Sequence, residues 1–104
     1  MTVIDTYFPG PTGLPTIDKR AGEKLDYSLD LEEYLVDIDA TIQSATVELG
    51  ATLTKEGDVG HDSYTVTVPK VAGGVVGQFP TIKYLVTLAG SGEVVVREVA
   101  LRII

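Results

Sequence analysis

The sequence predicts an all-β protein, an antiparallel two-sheet sandwich. Three observations carry that reading. From Lys24 onward, apolar and polar residues alternate with a period of two, the mark of half-buried strands. Glycine-rich turn signals divide the alternating runs: EGDVGHD at 56–62, AGGVVGQ at 72–78 and AGSG at 89–92. The alternation of helix with strand that a parallel α/β fold requires is missing.

Taken in order, residues 1–22 read as an extended N-terminal arm and residues 23–104 as the sandwich domain. In FPGPTGLPT, Pro9, Pro11 and Pro15 stand among Gly10 and Gly13, a composition that forbids helix and interrupts sheet pairing. The arm also carries Val3, Ile4, Tyr7, Phe8, Leu14 and Ile17, too apolar a set for a free linker. Two destinations for them stay open, the arm's own domain or a neighbouring subunit. Leu25, Tyr27, Leu29 and Leu31 then alternate with Asp26, Ser28 and Asp30 as the first strand. LEEYLVDI at 31–38 admits a turn or two of helix, limited by β-branched Val36, Ile38 and Ile42.

Ala45, Val47 and Leu49 form the inner face of the next strand, with Thr46 and Glu48 outside. Tyr64, Val66 and Val68 follow, and Pro69 is expected to close that strand. Ile82, Tyr84, Val86 and Leu88 mark another inner face, and Val99, Leu101 and Ile103 the last, with Glu98 and Arg102 outward. Val94, Val95 and Val96 are all apolar, so a bulge is expected to shift the phase there. Val66, Val86 and Leu101 are expected in the core.

A chain of 104 residues can bury one core without a crosslink. It has no cysteine, which excludes disulfides and thiolate zinc sites. A net charge of −7 argues against nucleic acid as a partner. No apolar run approaches the roughly 20 residues that span a bilayer, and MTVIDTYFPG lacks the pattern of a secretory signal. The expectation is a protein that stays soluble where it is made, with no membrane partner.

Residues in patterns suited to chemistry are few. His61 lies between Asp58 and Asp62, but no second imidazole or thiolate exists to complete a zinc site. Glu56, Asp58 and Asp62 sit on a Gly-rich turn without the alternating oxygen spacing of a calcium loop. AGGVVG is followed by Gln78, Phe79 and Pro80 rather than by the Lys and Ser/Thr of a phosphate loop. Glu32 and Glu33 are adjacent carboxylates on a turn with no aromatic sugar platform. The sequence therefore predicts no enzyme, no metal and no cofactor.

One resemblance adds to this. EKLDYSLDLEEYL followed by DATIQSATVEL resembles the start of small β-sandwich proteins encoded among the structural genes of tailed bacteriophages. The likeness is carried by Leu25, Asp26, Tyr27, Asp30, Tyr34, Leu35, Thr41, Ile42 and Ser44. GGVVGQFPTIKYLVTL is similar to the family's Gly-rich loop and Tyr-x-Val-Thr strand, here Tyr84, Val86 and Thr87. VREVALRI is similar to its final strand, with Arg97, Val99, Leu101 and Ile103. The likeness covers residues 23 to 104 and departs at Leu31, where the family often has tryptophan.

The resemblance implies an immunoglobulin-like, non-enzymatic virion protein, made in the host cytoplasm and present in many copies. The favoured expectation is a capsid decoration protein bound to the major capsid protein or other virion proteins, through Ile4, Tyr7, Phe8, Leu14 and Ile17. The alternative is a tail or fibre module whose loops 56–62 and 72–78 bind a host-surface glycan or protein.

Overall fold

The computed structural model describes residues 2–4 and 15–104. The first sheet runs in the order β1 (Thr2–Ile4), β3 (Leu25–Asp30), β7 (Thr65–Gly73) and β5 (Leu53–Thr54), with β6 (Gly60–His61) also paired to β7. The second runs β2 (Thr16–Lys19), β9 (Val94–Ile103), β8 (Thr81–Leu88) and β4 (Ile42–Leu49). Pairing is antiparallel except at two edges, where β1 joins β3 and β2 joins β9 in parallel. An N-terminal segment shared between the edges of two packed sheets gives the immunoglobulin-like arrangement.

The inner faces meet as the alternation requires. Tyr27, Leu29, Val66, Val68 and Val71 from the first sheet pack towards Ile82, Tyr84, Val86, Val99, Leu101 and Ile103 from the second, all buried. Helix α1 (Glu32–Asp37) carries the chain from β3 to β4, and its Leu35, with Leu31 before it, joins the same core. The Asp30 carboxylate accepts the Glu32 N–H at 2.9 Å, and Glu32 and Glu33 place negative charge in the first turn. The helix is short because its chain must re-enter a sheet at Ile42.

Two expectations are corrected. Pro69 does not close its strand: β7 continues to Gly73, and its register against β3 shifts between Leu25 and Tyr27. Lys70 takes a positive φ of 45°, so the missing Pro69 N–H falls at an irregularity rather than in a regular ladder. No bulge shifts β9 at Val94–Val96 either. Its pairing with β8 is regular from Thr87↔Val94 to Thr81↔Ala100, so Val95 faces the core while Val94 and Val96 face water. Apolar residues on both faces concealed a period that never broke.

Candidate functional site

Asp26, Asp30 and Asp62 have backbone duties. Asp26 Oδ1 accepts the Lys70 N–H at 2.9 Å and so secures the left-handed residue of β7. Asp30, one residue before the N-cap Leu31, takes the N–H of the first helical residue, Glu32. Asp62 Oδ1 accepts from both Tyr64 and Thr65 N–H, and these bonds hold its carboxyl below the usual range. Each of these carboxylates holds a backbone N–H, whereas alternation alone points it to water.

Two shallow depressions meet at Asp30. One, of about 480 Å³, is floored by Ser28 and Thr67, whose hydroxyls share a 2.7 Å hydrogen bond, and rimmed by His61 and Asp62. The other, of about 450 Å³, runs along α1 past Glu32, Glu33, Val36 and Asp37. His61 is exposed and donates from Nδ1 to the Asp62 carbonyl at 3.0 Å. Among the described residues, no group of three or more His, Cys, Asp or Glu side chains could hold a metal ion. No described helix is long and apolar enough to cross a membrane.

The interior holds polar atoms that the sequence does not announce. Lys19 in β2 is fully buried, and its ammonium donates to the Gly73 carbonyl at 2.8 Å and the Arg20 carbonyl at 3.1 Å. Burial pushes its pKa down, while the Glu23 carboxylate pushes it back up. Lys19 thereby fastens the edge of one sheet to β7 of the other. Tyr84 Oη donates to the Tyr27 carbonyl at 3.3 Å, whereas the buried Tyr27 Oη has no partner among the described residues. Burial pushes the Tyr27 phenol up to about 12 and raises that of Tyr84 as well.

The expected contact residues divide. Ile17 lies in β2, opposite Leu101 of β9, and packs against the chain's own core. Ile4 ends β1, where its backbone pairs with Leu29. Tyr7, Phe8 and Leu14 lie outside the described residues. Of the arm expected over residues 1–22, therefore, 2–4 and 16–19 are strands of the two sheets.

Exposed apolar side chains pair up at three places, Val36 and Ile38 around α1, Val75 and Val76 between β7 and β8, and Val94 and Val96 on the outer face of β9, and Ile104 is exposed after β9. β4 forms the outer edge of the second sheet, on the side opposite β2. Alternation identifies β4 as a strand, but only the three-dimensional sheet order reveals that it lies at an edge.

The family model described as Podophage GP4 fiber-tail adaptor protein gp77 matches residues 19–102. The match runs from the last residue of β2 nearly to the end of β9 and so takes in both sheets except β1 and most of β2. No curated protein and no solved structure matches the chain.

Proposed function

The chain belongs to the podophage fiber-tail adaptor family, and from that membership we propose that it joins tail fibres to the tail by holding a different partner on each side of its sandwich. It is a structural, non-enzymatic component of the virion. The family supports the tail alternative better than attachment to the head, so the capsid-decoration expectation gives way. The observation that carries the reading is a family match spanning both sheets.

An adaptor needs two faces that do not overlap. The second sheet supplies them: β2 and β4 are its opposite edges, separated by three strand spacings, about 14 Å. We assign the N-terminal side to the tail. Ile17 anchors the segment on the sandwich, and Ile4, Tyr7, Phe8 and Leu14 offer apolar side chains whose burial on a partner would each contribute about 1.5–3 kcal/mol. The surrounding prolines reduce the ordering cost of such a segment by restricting the unbound chain.

The test is reconstitution from purified parts. Fibres and fibre-free tails of the phage are mixed with and without the protein and sedimented together. Fibres should travel with tails only when the protein is present. Replacing Tyr7, Phe8 and Leu14 with serine, which leaves β1 and the Pro15 carbonyl that accepts from Ala100 in place, should leave a folded sandwich that captures fibres but not tails. Fibres that join tails equally well in its absence would remove the adaptor role. Binding of the protein to empty heads alone would restore the decoration reading.

A further inference from the structure

The open edge of β4 is the feature of this fold with most left to explain. Gly50 N–H donates to the Thr81 carbonyl at 2.8 Å, which makes Gly50 and Thr81 a hydrogen-bonded pair. Such pairs alternate with non-bonded ones along an antiparallel ladder. The register from Leu49↔Ile82 back to Ser44↔Thr87 is unbroken, so Glu48, Thr46 and Ser44 also turn their backbone groups towards β8. Ala45, Val47 and Leu49 then direct their N–H and C=O groups away from it. Among the described residues nothing pairs with them. The opening begins past Ile42, whose N–H is taken by the Ser63 carbonyl at 3.0 Å.

The side chains agree with the backbone. Ala45, Val47 and Leu49 face the core but are only half-buried, so the sandwich is incompletely closed along this strand. Edges of this length are usually blunted by lysine, proline or a bulge. β4, reading IQSATVEL, holds one charged residue, Glu48, and its irregularity lies at its start, between Ile42 and Ser44. The other edge strands are shorter: β1 has three residues, β2 four and β5 two, against eight in β4.

We propose that β4 binds an extended segment of the fibre protein as an added strand, with apolar side chains over Ala45, Val47 and Leu49 and lysine or arginine among its outward residues. Backbone pairing along an open edge is a general means of peptide capture. Charge decides between this occupant and a second copy of the chain. Every copy carries −7, and Asp37, Asp39 and Glu48 stand exposed on or shortly before β4, so a copy is repelled and a basic segment attracted. The fibre is assigned to β4 because the opposite edge carries the tail-side segment, and in this the inference rests on the adaptor reading.

Two variants test it. Val47→Pro removes an outward N–H without removing a bond to β8, a position where an edge strand tolerates proline. Thr46→Lys leaves the backbone intact and places a positive charge on the exposed outer face. Wild type and both variants are compared for capture of purified fibres, capture of fibre-free tails, and sedimentation of the protein alone. Fibre capture should weaken about tenfold or more in each variant, the equivalent of about 1.4 kcal/mol, with tail capture unchanged. Equal fibre capture by all three would overturn the strand-addition proposal while leaving the adaptor role intact. Failure of the wild type to capture fibres would instead overturn the adaptor reading. Loss of self-association, or of tail binding alone, would assign the edge to another occupant and also overturn the proposal. If Val47→Pro does not fold, Thr46→Lys decides.

Discussion

The two core tyrosines make opposite contributions. Tyr84 satisfies its hydroxyl on the Tyr27 carbonyl, and Tyr27 leaves its own without a partner among the described residues. A buried hydroxyl without a bond costs about 1–3 kcal/mol, whereas a made bond contributes about 1 kcal/mol. Tyr27→Phe should therefore keep or raise stability, and Tyr84→Phe should lower it by about 1 kcal/mol, as read from urea midpoints. A Tyr27→Phe protein less stable than Tyr84→Phe would contradict this assignment. Both phenols are raised above their ordinary 10.0, Tyr27 to about 12. Above pH 10 the unfolded chain releases these protons while the folded one keeps them, so stability falls with rising pH. The slope is about 1.4 kcal/mol per pH unit for each fully retained proton. Lys19 acts in the other direction, because its lowered pKa lets the folded chain lose a proton first, and that gain ends near 10.5. Urea midpoints between pH 10.5 and 12 should fall, and fall less steeply in Tyr27→Phe.

At the scale of elements, the end of β7 is the most constrained segment. Gly73 has a φ of 92°, and a Cβ there would lie 2.3 Å from the Thr52 carbonyl oxygen. Gly77 has a similar φ of 89° but open space around it. Gly77→Ala should cost only the left-handed conformational penalty, about 1–2 kcal/mol. Gly73→Ala adds a backbone collision, displaces the Leu53–Gly73 pairing and moves the carbonyl that holds Lys19. It should cost more than about 3 kcal/mol, measured by thermal unfolding. Equal losses would mean that β5 yields freely. The exposed ion pairs Lys24–Glu56 and Arg102–Asp18 are expected to add little by comparison.

For the molecule as a whole, stability depends on one core shared by two sheets and a capping helix. Val86 is fully buried at its centre on β8, which is flanked by β4 and β9. Val86→Asp introduces an unpaired charge whose burial exceeds what a domain of this size can offset. No soluble, cooperatively melting protein should result, and one that melted with the wild-type midpoint would place Val86 outside the core. An exposed position of the same strand type, Val94→Asp, should leave the midpoint within about 0.5 kcal/mol of wild type.

The sequence by itself determined the strand phases. Tyr27, Leu29, Val66 and Val68 alternate with Asp26, Ser28, Asp30, Thr65 and Thr67, and a period of two admits one inward face. It also excluded disulfides and thiolate zinc sites, since the chain has no cysteine. Alternation failed where both faces are apolar, at Val94–Val96, and where a proline sits at an irregularity, at Pro69. Tertiary structure alone decided that the short β2 and the long β4 stand at the two edges of the second sheet, because neighbours distant in sequence fix which backbone groups are paired. It also decided the place of Lys19. A lysine between Asp18 and Arg20 reads as solvated, and only the approach of the Gly73 carbonyl, contributed by the other sheet, makes its burial possible.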